Sequence, residues 1–155
     1  MWNVQGSLES EVVAREESMS EELTGRILVI DDDPHFLRVL SRILSGEKFQ
    51  VTPAAGACEA IELLRANRYD LVISDLRMPD YDGLNLLQEV RRGGNQVPII
   101  ILTAYGEVDT YLEAMNAGAT EYLNKPINSD ELVRVVRSCL RAHSARQNMT
   151  RDNRA

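Results

Sequence analysis

The chain has 155 residues, of which 44% are hydrophobic and 26% charged, and a formal net charge of −7. That is the balance of one globular domain with a proper core, and it excludes a disordered chain. No apolar run approaches the ~18–20 residues of a membrane span, and an acidic total argues against a dedicated nucleic-acid binder.

Residues 1–24 hold six Glu and one Arg. With Glu9, Glu11, Glu16 and Glu17 near its start, the segment lacks the apolar core of an export signal. Leu8, Val12, Met19 and Leu23 sketch an apolar stripe that Ser7, Ser10, Ser18 and Ser20 dilute. We expect residues 1–24 to be a disordered acidic appendage, with Met19 as an alternative start of translation.

Order is expected from Arg26. Ile27–Ile30 is a short continuous apolar run, which suits a strand buried on both faces. It stops at Asp31-Asp32-Asp33, where Asp33 and Pro34 are sound N-cap and first-turn residues. Phe36, Leu37, Leu40, Ile43 and Leu44 recur at helical spacing, and Gly46 is placed to close that helix. The alternation then repeats. Phe49–Thr52 reads as a weak strand, Cys58–Ala66 as a helix, Asp70–Ser74 as a strand and Leu84–Val90 as a helix behind Gly83. Pro98–Leu102 is the clearest buried strand; Val108–Ala117 is helical with Gly118 as its stop. Thr120–Leu123 is a short strand and Asp130–Arg141 a helix with Leu132, Val133, Val136 and Leu140 inward. Residues 144–155 read as an Arg-rich tail, since 134–155 hold six Arg and one Asp. Cys58 and Cys139 stand far apart in no metal or redox spacing, so two reduced thiols in the cytoplasm are expected.

Five strands alternating with five helices predict an α/β fold: a doubly wound parallel sheet covered on both faces, a three-layer sandwich. In such sheets the ligand crevice lies outside the carboxyl ends of the strands. Strand one ends at Asp31-Asp32, strand three at Asp75, strand four at Thr103 and strand five at Lys125. The unusual polar groups therefore share one edge. Three carboxylates there repel one another unless a cation neutralises them, and hard oxygen ligands suit Mg²⁺. A metal orients and neutralises a phosphoryl group. Lys125 offers it a point charge and Thr103 a hydrogen bond. Lys48 and Lys125 are the only lysines against fifteen arginines, so a lysine at this strand end is unlike surface filler.

The segments Ile30-Asp31-Asp32-Asp33-Pro34, Ser74-Asp75-Leu76-Arg77-Met78-Pro79-Asp80-Tyr81-Asp82-Gly83, Leu102-Thr103-Ala104 and Asn124-Lys125-Pro126 closely resemble the motifs of bacterial two-component response-regulator receiver domains, of the chemotaxis-Y-like kind. The resemblance covers residues 25–143, with every block in order. It implies a strand order of 2-1-3-4-5 and a signalling switch that catalyses only its own phosphorylation and dephosphorylation. Asp75 would accept a phosphoryl group from a sensor histidine kinase or a histidine phosphotransfer protein. Asp31, Asp32, Asp75 and the backbone carbonyl of Arg77 would hold Mg²⁺. Thr103 and Lys125 would bind phosphoryl oxygens, Tyr122 would be the aromatic switch, and the Lys125–Pro126 peptide would be cis. Arg77 and Tyr105, both bulky, would flank the water path to phosphorus and slow self-hydrolysis. With only about a dozen residues after Arg141, a stand-alone regulator is expected, acting on a protein effector or by self-association on phosphorylation.

Other readings attach to the same residues. Asp31-x-Asp33 after an apolar strand also resembles the opening of haloacid-dehalogenase-type phosphatases, which would make Asp31 the nucleophile and leave Asp75 unexplained. A receiver-like module that never meets phosphate is a second rival. Asp33 is expected to be a helix cap, Asp80 and Asp82 loop-shaping residues, and His35 and His143 incidental to any phosphorelay.

Overall fold

The computed structural model describes residues 24–79, 81–104 and 108–153. The expectations for the acidic head up to residue 23, for Asp80 and for Tyr105 lie outside the described residues. Strands β1 (Arg26–Ile30), β2 (Gln50–Ala54), β3 (Leu71–Asp75), β4 (Ile99–Thr103) and β5 (Glu121–Asn124) alternate with helices α1 (Pro34–Gly46), α2 (Ala57–Ala66), α3 (Gly83–Arg92), α4 (Val108–Asn116) and α5 (Ser129–Asn153). Parallel neighbours cannot be joined by tight turns, so each strand reaches the next through a helix. The sheet order is β2-β1-β3-β4-β5 with every pairing parallel, as the resemblance implied.

Strand side chains alternate between faces, and the sequence fills both sides with apolar groups. Ile27, Val29, Leu71, Ile73, Ile100 and Leu102 face α1 and α5, against Leu40, Leu44, Leu132 and Val136. Leu28, Ile30, Val72, Ile99 and Ile101 face α2, α3 and α4, against Ala57, Ala60, Leu86, Leu87 and Ala114. The three-layer sandwich is thus two cores separated by one sheet. Pro53 sits in β2, an edge strand, where a missing N–H costs no ladder bond.

Two helix ends differ from expectation. Gly46 is the last residue of α1, as expected, but the left-handed conformation after it falls on Lys48, at φ 71°. The Phe49 and Glu47 amides both return to the Leu44 carbonyl, so the chain turns two residues beyond the glycine. Helix α5 continues to Asn153, which places most of the expected 144–155 tail in its last turns. Ala142, Ala145, Arg146, Gln147 and Met149 are strong helix formers with no Gly or Pro among them, so propensity carries the helix past its packed part. Gly118 does stop α4's segment as expected, at φ 106°.

Candidate functional site

Parallel strands present all their carboxyl ends at one edge, and the polar strand-end residues meet there. Asp31 follows β1 directly and is buried to 1% exposure; Thr103, the last residue of β4, is equally buried. Asp75 ends β3 with its side chain 12% exposed, and Asp32 is exposed. Carboxylate oxygens of Asp31, Asp32 and Asp75 all lie within 4.8 Å of one another. Lys125, just past β5, places Nζ 3.1 Å from Asp31 Oδ2 and 3.4 Å from Asp75 Oδ2. Its backbone N–H donates to the Thr103 carbonyl at 2.7 Å, which ties the β5 end to the β4 end. The Lys125–Pro126 peptide is cis.

Local structure explains how the cluster is held. The Asp33 carboxylate accepts the His35 N–H at 3.0 Å and Pro34 opens α1, so Asp33 is the cap that sequence suggested. Its own N–H donates to Asp31 Oδ1 at 2.9 Å. Burial pushes the Asp31 carboxyl above its ordinary range; the Asp33 N–H and the Lys125 ammonium oppose that shift, and the Asp75 charge adds to it. Below β3, the chain folds back so closely that a Cβ on Gly83 would stand 2.5 Å from the Asp75 carbonyl oxygen. The Gly83 N–H donates to Leu76 O at 2.7 Å, and Asp82 caps α3 by accepting the Leu84 N–H at 2.8 Å. Asp82 is thus a loop-shaping residue and no part of the carboxylate cluster.

Tyr122 is half-buried and meets Tyr111 of α4 edge to face, ring centroids 5.5 Å apart. Arg77 is exposed. His35 and His143 lie on α1 and α5; the His143 ring is engaged with Gln147 at 3.0 Å. Sequence reasoning treated Phe36 as a core residue of α1 alone. Its ring lies 4.0 Å below the Lys125 ammonium, a cation–π contact that helps aim Nζ at the carboxylates. An aromatic two residues after Pro34 was the only signal for it. Ser74 was also passed over; its buried hydroxyl donates to the Asp75 carbonyl at 2.9 Å.

A doubly wound parallel sheet whose carboxyl edge gathers three carboxylates, a lysine and a buried threonine defines a class of phosphoryl-handling signalling domains. The pattern of the response regulator receiver domain matches residues 27–137, and this chain belongs to that family. Among its relatives are the transcriptional regulatory protein ZraR of Klebsiella oxytoca, 40% identical over 68% of this chain and 24% of its own length, and the regulatory protein AtoC of Escherichia coli, 36% identical over 79% of this chain and 26% of its own. The chain therefore spans about a quarter of the length of these curated relatives. Solved structures agree. The receiver domain of the Francisella response regulator 1452 superposes with a TM-score of 0.74 at 30% identity, over 77% of this chain and 98% of that one. A chemotaxis-Y-like receiver protein from Methanospirillum hungatei gives 0.76 at 28%, over 79% and 98%. Receiver domains of two-component response regulators are phospho-acceptor switches in signalling, and that is the class of this protein.

Proposed function

We propose that Asp75 is the acceptor, taking the phosphoryl group of a phosphohistidine on a sensor kinase or phosphotransfer protein. One observation carries the assignment: of the two carboxylates bound by Lys125, Asp31 is sealed at 1% exposure whereas Asp75 keeps an opening of 12%. An Asp75 oxygen attacks phosphorus in line, a P–O bond forms, the P–N bond breaks, and the imidazole leaves with the electron pair. The same contrast disfavours Asp31 as a phosphatase-type nucleophile.

Lys125 supplies a cation within reach of the acceptor oxygen, and the buried Thr103 hydroxyl stands at the neighbouring strand end to bind a second phosphoryl oxygen. Three carboxylates within 4.8 Å form an all-oxygen donor set that fits Mg²⁺. Asp31, Asp32, Asp75 and the Arg77 carbonyl would hold it, and its chemistry there is neutralisation of charge on the transferred group. Tyr122, packed on Tyr111, is the residue through which occupancy at Thr103 reaches α4. The domain catalyses only its own phosphorylation and dephosphorylation, and its output is control of a protein partner or self-association. Among the described residues no helix is long and apolar enough to cross a membrane. Two free thiols, Cys58 and Cys139, suit a cytoplasmic setting.

An NMR titration with Mg²⁺ and a small-molecule phosphodonor tests the proposal. Shifts should centre on Asp31, Asp32, Asp75, Thr103 and Lys125, and Asp75→Asn should keep the Mg²⁺-free spectrum while losing the phosphodonor response. Turnover of a generic phosphomonoester with no stable change at Asp75 would instead favour the phosphatase reading.

A further inference from the structure

The parallel sheet sorts charge as well as chemistry. Its carboxyl edge carries the Asp31–Asp32–Asp75 cluster; its opposite edge, where the helices end, carries Arg26, Arg65, Arg68, Arg91 and Arg92 among the acids Glu47, Asp70 and Glu121. Cations at helix C-termini complement the macrodipole, which accounts for some of them. It does not account for the groove of about 520 Å³ between α2 and α3 that opens at the same edge. Ile61, Leu64 and Val90 give it an apolar floor, and Arg65 and Arg92 stand exposed on its rim. The acid of the rim, Glu89, is drawn aside by the Tyr81 hydroxyl at 3.0 Å and by Arg65 at 3.5 Å. The groove therefore presents apolar surface bordered by the Arg65–Glu89 ion pair and by Arg92, a rim with an excess of one positive charge.

We propose that this groove is a docking site for the chain's own acidic N-terminal segment, residues 8–17. The segment enters the domain at the right place. Gly25 accepts from the Gln50 N–H, and Arg26 N–H donates to Asp70 Oδ2 at 2.9 Å, so the chain leaves the sheet at the arginine edge. Asp70 lies four residues beyond the end of α2, at most ~14 Å along an extended chain. The seven residue steps from 17 to 24 span up to roughly 25 Å, enough to reach the rim. Charge and composition also match: Glu9, Glu11, Glu16 and Glu17 oppose Arg65 and Arg92, and Leu8 and Val12 are apolar groups for the floor. Docking replaces the free appendage expected from sequence. It lies at the end of the strands opposite Asp75, so it leaves the acceptor open and covers the α2–α3 surface.

The test uses the full chain with a nitroxide on Ser10→Cys in a Cys58→Ser background, Cys139 being buried. At low salt the label should selectively broaden the amides of residues 61–65 and 89–95. Arg65→Glu with Arg92→Glu should abolish the effect, and adding Glu9→Lys with Glu11→Lys should restore it. Broadening elsewhere, none at the groove, or no response to the charge reversal overturns the proposal. So does broadening passed from a labelled chain to a separate isotope-enriched chain, which would make the occupant a second copy.

Discussion

Asp32 is the exposed member of a cluster in which three carboxylates face a single ammonium. Like charges that close repel by about 1 kcal/mol even at the dielectric of bulk water. Asp32→Asn should therefore raise metal-free stability by about 1 kcal/mol while weakening the stabilisation that Mg²⁺ gives; urea unfolding with and without Mg²⁺ checks both signs. The thiols behave differently from each other. Burial pushes the Cys139 thiol from 9.0 up to about 11, whereas Cys58 is exposed. An alkylating reagent near neutral pH should consume one thiol per native chain and two per unfolded chain. Because the folded value of Cys139 lies above the unfolded one, its contribution to stability is complete below pH 9.0 and is lost as pH rises toward 11. Residues at strand ends were legible in the sequence because an apolar run that stops on Asp, Thr or Lys marks its own boundary. The Phe36–Lys125 contact was not, since it joins residues that only the closed sheet brings together.

At the scale of elements, Gly83 couples α3 to β3, the strand that ends in the proposed acceptor. A Cβ there would stand 2.5 Å from the Asp75 carbonyl oxygen and 3.0 Å from Leu76 backbone atoms, none of which can swing aside. Gly83→Ala should cost about 1–3 kcal/mol as an overpacking change and slow phosphorylation by shifting Asp75; denaturation and labelling rates measured together distinguish this from a purely structural defect. Arg91 holds a different junction. Its guanidinium donates to the Gly118 carbonyl at 2.8 and 3.1 Å, to Val97 at 2.6 Å and to Asn95 at 3.0 Å, stapling the end of α3 to the turns before β4 and β5. Arg91→Met leaves those acceptors unpaired and should destabilise by on the order of 2–4 kcal/mol. Among the described residues, sequence patterning found each strand and helix because each carries its own apolar pattern. It missed the reach of α5 and the turn at Lys48, where propensity and local hydrogen bonding decide and no apolar pattern reports the outcome. The Arg91 staple was equally silent, because backbone carbonyl acceptors leave no mark on side-chain identity.

For the molecule as a whole, the doubly wound sheet accounts for the division of labour. Two apolar cores fix five strand ends in register, so groups as far apart in sequence as Asp31 and Lys125, each the first residue past its strand, meet at 3.1 Å. The carboxyl edge then holds the chemistry, and α4, which buries only Ala114 completely and exposes Val108, Tyr111 and Leu112, is the element most loosely attached beside it. If Thr103 and Tyr122 act as proposed, a change there would meet little resistance in α4, and a local event at one edge would become a change of surface. All of this depends on Asp75 being the acceptor, and intact-mass measurement after incubation with Mg²⁺ and a small-molecule phosphodonor tests it directly. The account predicts one added phosphoryl mass on the wild-type chain, removed by hydroxylamine as an acyl phosphate should be, and none on Asp75→Asn. Undiminished labelling of Asp75→Asn, or no labelling of the wild-type chain, would contradict it.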